Sequence, residues 1–170
     1  MDAALISTST KIQITDDSGV ALSACDNNGM ENYIHHVQYY ETDKMGITHH
    51  SNYIRFMEEA RMDFFKRIGF DYLEFEKQGI ISPVVGMNNI RYKKPSTVGD
   101  DLSIAITVKA YNGFVLTVHY VMSKDDQVIF EGDSEHCFLS KEGKILKLSD
   151  HTFPELHAKL SELFEISKNQ

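Results

Sequence analysis

The stretch of the chain richest in chemically active side chains is 39–53, which reads YYETDKMGITHHSNY. It holds a carboxylate at Asp43, a glycine turn at Gly46 and the histidine pair His49 and His50, just ahead of a helical pattern. The first turn of a helix presents backbone N–H groups with a partial positive charge, which suits the oxygen of a polarised carbonyl. A carboxylate within reach of that carbonyl attacks it or activates water, so the pattern predicts acyl transfer to water.

A strand and a long helix are the elements that would position these groups. The segment 34–40 (IHHVQYY) is rich in β-branched and aromatic residues and is predicted to be a first strand, in which Tyr39 and Tyr40 both pack and one of them faces the site. Ser51 or Asn52 is the predicted N-cap of the helix, which ends at Gly69. Apolar residues recur along it at helical spacing: Tyr53, Phe56, Met57, Ala60, Phe64 and Ile68.

The remainder of the chain is predicted to be mainly antiparallel strands. A capping box at 71–74 predicts a short second helix, and a second box at 152–155 predicts a C-terminal helix. Alternating apolar residues on both sides of Asn112-Gly113 predict a hairpin, with further strands in 80–94 and 128–139. Because no βαβ series is present, the fold class is α+β, with the apolar face of the sheet curled around the long helix.

Composition excludes several classes of protein. The 170 residues carry 17 Lys+Arg and 25 Asp+Glu, a net charge of −8, which argues against nucleic-acid binding. Cys25 and Cys137 lack the spacing of a disulfide framework or a thiolate zinc site. No signal peptide and no membrane span is evident, so we expect a cytoplasmic protein. Residues 1–29 are polar and are predicted to be a flexible or non-native extension of a single domain that covers residues 30–170.

The order and spacing of the motifs resemble the hotdog-fold acyl-CoA thioesterases of the 4-hydroxybenzoyl-CoA thioesterase type, especially the bacterial short-chain acyl-CoA thioesterase branch. The likeness covers about residues 33–150 and leaves residues 1–29 without a counterpart. It rests on Tyr40-Glu41-Thr42-Asp43, Gly46, His50-Ser51-Asn52-Tyr53, Phe56, Glu58, Ala60, Arg61, Arg91-Tyr92-Lys93-Lys94-Pro95 and Gly99-Asp100-Asp101.

The resemblance implies that the protein hydrolyses an acyl-CoA to a carboxylic acid and free CoA without a cofactor, CoA being part of the substrate. It assigns Asp43 as nucleophile or general base and His50 as oxyanion donor or proton carrier. From the residues alone, Asp43 is equally readable as a turn residue that bonds local amides. One member of the pair His49 and His50 is then a surface or packing histidine.

A wider set of residues is predicted to bind the substrate: Tyr40, Gly46, Asn52, Tyr53, Glu58, Arg91, Lys93 and Lys94. The basic residues suit the phosphates of CoA, although a solvated strand end explains them as well. Glu58 holds water in a neighbouring subunit's site or is paired with an arginine of its own helix. No metal site is expected, because His35 and His36 point to opposite faces of a strand and adjacent histidines do not form an i, i+4 pair.

Four questions stay open at this level. The acyl group could arrive on acyl carrier protein instead of CoA, with the basic residues docking that acidic partner. The protein could also be a non-catalytic acyl-CoA-binding sensor. A homo-oligomer, a dimer or a tetramer, is expected because a half-open sheet leaves an unpaired edge. The identity of the acyl group does not follow from the sequence.

Overall fold

The computed structural model describes Ile14–Thr15, Ala21–Leu22, residues 29–149 and residues 153–169. Within the predicted N-terminal extension, β1 (Ile14–Thr15) and β2 (Ala21–Leu22) pair antiparallel. The rest of that prediction falls outside the described residues. No helix in the described ranges has both the length and the apolar character needed to cross a membrane.

A five-stranded antiparallel sheet dominates the fold. Its strands are β3 (Tyr33–His36), β5 (Val84–Tyr92), β6 (Asp101–Tyr111), β7 (Val115–Lys124) and β8 (Gln127–Cys137). Their spatial order is β3-β6-β7-β8-β5, so β3 and β5 form the two edges. A separate antiparallel pair is formed by β4 (Ile80–Ile81) and β9 (Leu139–Ser140).

The predicted hairpin is confirmed as β6 and β7. The Oδ1 atom of Asn112 accepts hydrogen bonds from the N–H groups of Phe114 (3.0 Å) and Val115 (2.8 Å), and Gly113 takes a φ of 89°. Strand residues alternate in burial with a period of two, as a sheet with one covered face requires. The buried face carries Leu102, Ile104, Ile106, Val108, Leu116, Val118, Tyr120 and Met122.

The long helix α1 (His50–Arg67) covers that apolar face, as predicted. Phe56, Met57, Ala60 and Phe64 are all at most 1% exposed. Burial of this stripe is the main stabilising contribution of the helix, because apolar surface removed from water contributes about 25 cal/mol per Å².

The start of α1 differs from the prediction. His49 is the N-cap, and its Nδ1 atom accepts a hydrogen bond from the N–H of Ser51 at 3.3 Å. Ser51 and Asn52 both lie inside the first turn. The Asn52 side chain does not cap the helix, because it donates to a backbone carbonyl instead. At the other end Gly69 has a φ of 93°, which confirms the predicted glycine stop.

The prediction that the first strand runs to Tyr40 is wrong. The strand ends at His36, and Tyr39–Glu41 form a 3₁₀ helix. The carboxylate of Glu41 accepts a hydrogen bond from the N–H of Gln38 at 2.7 Å and so turns the chain away from the sheet. Tyr39 and Tyr40 are 81% and 78% exposed, so neither packs within this chain.

Two shorter helices complete the fold. In α2 (Tyr72–Lys77) Asp71 is the N-cap and accepts from the N–H of Leu73 at 2.8 Å, as predicted. The N-cap of α3 (Pro154–Lys168) is Phe153, with Pro154 in the first turn. The predicted capping box begins at residue 152, which lies outside the described ranges.

α3 covers the part of β6 that β3 does not reach. β3 pairs only with Asp101–Ile104, and the Oγ atom of Ser167 donates to the carbonyl of Val108 at 2.7 Å. The apolar side of α3 is buried through Leu156, Leu160 and Leu163. The helix therefore protects an otherwise open sheet edge.

A buried polar pair joins α1 to the sheet. The Nη1 atom of Arg61 donates to Nε2 of His136 at 2.8 Å, and these residues are 4% and 0% exposed. The Oγ atom of Ser134 lies 2.7 Å from the same ring nitrogen. Burial, followed by the charge of Arg61, lowers the pKa of His136 to about 3. The imidazole is therefore neutral in the folded protein at any physiological pH.

We predict that this neutral histidine makes the protein sensitive to mild acid. An unfolded chain binds a proton at His136 below its ordinary pKa of 6.5, whereas the folded chain does not until about pH 3. Stability therefore falls as the pH drops through this window. Between pH 7.5 and 5.5 the loss assignable to His136 is about 1 kcal/mol. Urea unfolding of the wild type and of His136→Gln at both pH values measures it.

The control for this prediction is Thr117→Ser, which changes a side chain of β7 in the same sheet and leaves every titratable group in place. The free energy of unfolding of the control should change between the two pH values by as much as that of the wild type. For His136→Gln this change should be smaller by about 1 kcal/mol. Equal pH dependence in the wild type and His136→Gln would contradict the assignment.

Candidate active site

A tight turn carries the predicted catalytic carboxylate. Thr42 and Thr48 are bridged antiparallel, and the N–H of Asp43 donates to the carbonyl of Ile47 at 2.9 Å. The N–H of Gly46 donates to the carbonyl of Asp43 at 3.0 Å. Gly46 has a φ of 75°, a conformation that is costly for any residue with a Cβ. The turn thus depends on glycine at position 46 to hold Asp43 at its base.

The carboxylate of Asp43 is anchored by one oxygen only. Its Oδ1 atom accepts a hydrogen bond from the N–H of Met45 at 2.7 Å. Its Oδ2 atom has no hydrogen-bond partner among the described residues. Asp43 therefore does bond a local amide of the turn, as one interpretation of the sequence predicted. This bond uses one carboxylate oxygen and leaves the other available to a ligand.

The first turn of α1 offers one free backbone donor. His49 accepts the N–H of Ser51 through its ring and the N–H of Asn52 through its carbonyl, at 3.3 and 2.9 Å. The N–H of His50 has no hydrogen-bond partner within the part of the chain that the structure describes. Because first-turn N–H groups also sit at the positive end of the helix dipole, this group is suited to bind an anionic oxygen.

The two histidines of the pair have different surroundings. His49 is the N-cap, and its Nδ1 atom also lies 2.8 Å from the Oγ of Ser51. The His50 ring is exposed and lies against the His49 ring, with 4.2 Å between the centroids. The carbonyl of His50 accepts a hydrogen bond from the hydroxyl of Tyr92 at 3.1 Å. One histidine is thus structural, and the other is free to contact a ligand.

Five of the predicted site residues meet around one cleft of about 390 Å³. They are Asp43, His50, Tyr53, Lys93 and Lys94, and the cleft is completed by Ile47, Thr48, Tyr92 and Pro95. Burial, with a smaller contribution from Tyr53, raises the pKa of Tyr92 above its usual value, so its phenol stays protonated and donates to the His50 carbonyl.

A buried hydroxyl network supports the cleft from below. The Oγ atom of Ser96 lies 2.7 Å from Oγ1 of Thr48 and 2.9 Å from the hydroxyl of Tyr53. The carbonyl of Ser96 accepts the N–H of Thr48 at 2.7 Å. These bonds tie the Asp43 turn to α1 and to the segment after Pro95. The sequence reasoning missed Ser96, since an isolated serine after a proline gives no periodic signal.

The two lysines lie at the mouth of the cleft and are partly exposed. The Nζ atom of Lys93 forms an ion pair with Oε1 of Glu131 at 2.6 Å, and that of Lys94 donates to Oε1 of Gln127 at 2.8 Å. Exposed ion pairs of this kind contribute little to stability, so both ammonium groups can exchange their partners for an anion.

The remaining predicted residues do not line this cleft. Gly46 lies at the end of the turn, and its carbonyl accepts from Oγ1 of Thr97 at 2.6 Å. Asn52 is buried, and its Nδ2 atom donates to the carbonyl of Glu41 at 2.8 Å. The exposed guanidinium of Arg91 donates to the neighbouring carbonyl of Ile90.

Tyr40 and Glu58 also lie elsewhere. Tyr40 is exposed on the 3₁₀ helix. The carboxylate of Glu58 is 3.7 Å from Nη2 of Arg61 and borders a separate cavity of about 60 Å³. That cavity is lined mainly by apolar side chains of α1 and β5.

A larger pocket of about 520 Å³ lies between α2 and the beginning of α3. Its charged lining consists of the carboxylates Asp71, Glu74 and Glu155 beside Phe70 and other apolar groups. Among the described residues that line it, there is no cation or histidine to hold a negatively charged oxygen, so the smaller cleft is the better candidate. Within the described ranges no group of three or more His, Cys, Asp and Glu side chains is arranged to hold a metal ion.

An antiparallel sheet is curled around one helix, and a carboxylate lies beside the first turn of that helix. The chain belongs to the thioesterase-like superfamily, whose family model matches residues 37–162. It is accordingly a thioester hydrolase, and the predicted hotdog fold is confirmed by its structural neighbours.

Similar proteins support this membership. A Bacillus subtilis protein named "Putative acyl-CoA thioesterase YneP" is 36% identical over 122 residues, which are 71% of this chain and 88% of that protein. An Aquifex aeolicus protein named "Putative esterase" is 37% identical over 117 residues, which are 68% of this chain and 89% of that protein. The crystal structure of the DHNA-CoA thioesterase of Staphylococcus aureus superposes with a TM-score of 0.76 at 29% identity, covering 81% of this chain and 92% of that one.

Replacement of Gly46 should separate activity from stability. Gly46→Ala and Gly143→Ala both introduce a Cβ at a φ near +75°, and in neither place does the Cβ meet an atom within 4 Å. Each should cost about 1 kcal/mol of unfolding free energy through backbone strain. Only Gly46→Ala distorts the Asp43 turn, so only it should lower thioester hydrolysis, by about tenfold or more.

Thermal unfolding and thiol release, measured on both variants, check this prediction. Equal activity of the two variants would show that the Asp43 turn tolerates the distortion and would contradict the role given to Gly46.

Proposed function

We propose that the protein hydrolyses an acyl-CoA thioester to a carboxylic acid and free CoA in the cleft at the start of α1. One observation carries this proposal: the half-occupied carboxylate of Asp43 and His50, whose backbone N–H is unbonded, line the same cleft. A nucleophile or base and a donor for the carbonyl oxygen are the two groups that thioester hydrolysis requires.

In the proposed reaction the thioester carbonyl oxygen accepts a hydrogen bond from the His50 N–H. The positive end of the α1 dipole adds to the stabilisation of the negative charge that develops on this oxygen. Asp43 then either attacks the carbonyl carbon through Oδ2 or removes a proton from an attacking water molecule. If Asp43 attacks, the carbon–sulfur bond breaks, CoA leaves as a thiolate that takes up a proton, and water then hydrolyses the mixed anhydride on Asp43 to the carboxylic acid and the free carboxylate. If water attacks, the carbon–sulfur bond breaks in the same way and the carboxylic acid forms directly. The bond from Met45 to Oδ1 supports either role, because it fixes the plane of the carboxylate.

The exposed side chain of His50 has a second proposed role. Its ring is free to carry a proton toward the departing sulfur, while His49 is held as the helix cap. The backbone N–H of His50 would bind the oxyanion, and the ring would carry the proton. Replacement of the side chain would therefore remove the proton carrier and keep the oxyanion donor.

Lys93 and Lys94 are proposed to bind the phosphates of CoA at the mouth of the cleft. Their ammonium groups are partly exposed, and CoA carries several negative charges. Arg91 lies on the same strand end and adds to the positive potential without lining the cleft. Tyr53 contributes an aromatic wall to the cleft. The names of the Bacillus relative and of the Staphylococcus enzyme both specify acyl-CoA substrates for those proteins, which supports the same carrier here.

The other predicted residues are proposed to act from different places. Gly46 and Asn52 position the turn and the helix start. Tyr40 and Glu58 are exposed away from the cleft, so we propose that they serve the cleft of a neighbouring subunit. A homo-oligomer built on β5 would allow this, because β5 is an edge strand whose Val84 and Val85 are 46% and 57% exposed. The proposal covers a dimer or a tetramer.

Asp43→Asn tests the catalytic role directly. Asparagine keeps the Oδ1 acceptor for Met45 but cannot act as nucleophile or base. We expect kcat on acyl-CoA substrates to fall by about 10²- to 10⁴-fold. The measurement is release of free thiol from a panel of short, medium, long and aromatic acyl-CoAs, which also identifies the acyl class.

Asp71→Asn is the matched control, because Oδ1 of Asp71 also accepts a backbone N–H two residues ahead, at 2.8 Å. It should keep the wild-type kcat. Full turnover by Asp43→Asn would remove Asp43 from the mechanism. Binding of acyl-CoA without turnover by the wild type would favour a sensor.

Lys93→Gln and Lys94→Gln test the recognition of the carrier. Each should raise KM for an acyl-CoA by about 3- to 10-fold, as loss of one charged phosphate contact implies. Neither should alter kcat/KM for the same acyl group on N-acetylcysteamine, which carries no phosphate.

Lys144→Gln is the control, because it removes an exposed charge from a loop outside the cleft lining. It should leave both substrates unaffected. If Lys93→Gln and Lys94→Gln lose more kcat/KM on an acyl–acyl carrier protein than on the acyl-CoA, the lysines would instead bind acyl carrier protein as the carrier.

A further inference from the structure

Glu41 is the most connected residue beside the proposed catalytic turn. It is only 6% exposed. Its Oε2 atom accepts the N–H of Gln38 at 2.7 Å and lies 2.9 Å from Nε2 of His35. A buried carboxylate is costly unless it is paired and hydrogen-bonded, so these two contacts are what allow it to be there. They fasten the 3₁₀ helix that precedes Asp43 to strand β3.

The carbonyl group of the same residue holds the start of α1. It accepts the N–H of His49 at 2.8 Å and Nδ2 of Asn52 at 2.8 Å. His49 precedes His50, whose free N–H is the proposed oxyanion donor. Asp43 follows Glu41 by two residues. One residue therefore joins the strand, the catalytic carboxylate and the first turn of the helix.

The ring of His35 is in turn fixed on several sides. Its Nδ1 atom lies 2.8 Å from Oε2 of Glu59 on α1, and the ring stacks on Phe56 with centroids 3.8 Å apart. His35 is 8% exposed. The ring therefore cannot move away from Glu41 without breaking contacts to α1. His35 thus links the packed helix α1 to the Glu41 side chain.

We propose that Glu41 and His35 are positioning residues that hold the Asp43 carboxylate against the His50 N–H. This inference rests on the proposed function. Neither residue lines the cleft, so they act through Asp43 and His50. In a reaction that depends on placing two groups on either side of one carbonyl, a displacement of about 1 Å lowers the rate by about 10²-fold.

A similar cluster on the other face of the sheet provides a control that distinguishes positioning of the catalytic groups from stabilisation of the fold. The side chain of Asp133 is 2% exposed, with Nδ1 of His119 and Nζ of Lys109 both at 2.6 Å. Asp133, His119 and Lys109 alternate with the residues of their strands that face α1. Asp133 is therefore a buried carboxylate held by a partly exposed histidine and a partly exposed lysine, and none of the three lines the cleft.

The test compares Glu41→Ala, Glu41→Gln and Asp133→Ala in the full chain. We expect Glu41→Ala to lower kcat on an acyl-CoA by about 10- to 100-fold. Its KM should change less than about threefold, because Lys93 and Lys94 are untouched. Glu41→Gln keeps an oxygen for Gln38 and His35 and should retain at least about a third of the wild-type kcat. Asp133→Ala should lose stability and keep its kcat.

Hydrogen exchange supplies a readout that needs no substrate. Amides of 42–49 should exchange faster in Glu41→Ala than in the wild type, and at the wild-type rate in Asp133→Ala. The proposal is overturned if Glu41→Ala keeps the wild-type kcat, if Glu41→Gln is as impaired as Glu41→Ala, or if Asp133→Ala loses kcat equally.

The same exchange measurement separates this inference from the proposed function. If the wild type hydrolyses no thioester, the proposed function fails and the exchange rates alone decide on the positioning unit. Faster exchange of 42–49 confined to Glu41→Ala would then still support it, and unchanged exchange would overturn it.

Discussion

Burial of one stripe of α1 against the curved sheet is the constraint on which the rest of the structure depends. Phe56, Ala60 and Phe64 have almost no exposed surface, and the helix cannot rotate or slide without exposing them. Because the stripe fixes the helix, it also fixes where the first turn of the helix emerges. The position of the His50 N–H is therefore a consequence of core packing 6 to 14 residues further along the same helix. A backbone donor placed in this way needs no flexible side chain.

Polar contacts then decide which first-turn donor remains free. Helix starts leave several N–H groups without partners, and most helices satisfy them by capping. Here His49 accepts two of these groups, from Ser51 and Asn52, and the Glu41 carbonyl accepts that of His49 itself. Among the described residues the N–H of His50 has no partner, and it lies at the cleft beside a carboxylate that is anchored through a single oxygen. The proposed chemistry thus depends on incomplete hydrogen bonding at two atoms within a region that is otherwise well bonded to its neighbours.

Much of the fold follows from the sequence, and the exceptions have identifiable causes. Periods of two and of 3.6 residues correctly predicted the hairpin and α1, since both patterns reflect burial of one face. His49 was missed as the N-cap because histidine is not a preferred capping residue. The first strand was predicted to run to Tyr40 because β propensity depends on residue type alone. The chain is turned by a single hydrogen bond from the N–H of Gln38 to the Glu41 side chain, which propensity does not include. Ser96 had no predicted role because its partner Thr48 precedes it by 48 residues. Glu41 had none because its partners lie close in sequence but at no regular spacing, so no periodic pattern reveals them.

The proposed catalytic groups and the edge strand β5 depend on different parts of the structure. The groups proposed to react lie at the start of α1, where they depend on the core and on the Glu41 contacts. The side chains that border the small cavity beside Glu58, such as Val84 and Met87, lie on the edge strand β5 and on the flank of α1. Changes there alter the space next to the helix without disturbing the stripe that fixes it. Because edge-strand side chains also face any chain that pairs with β5, such changes would alter that contact, while the proposed catalytic geometry would stay the same.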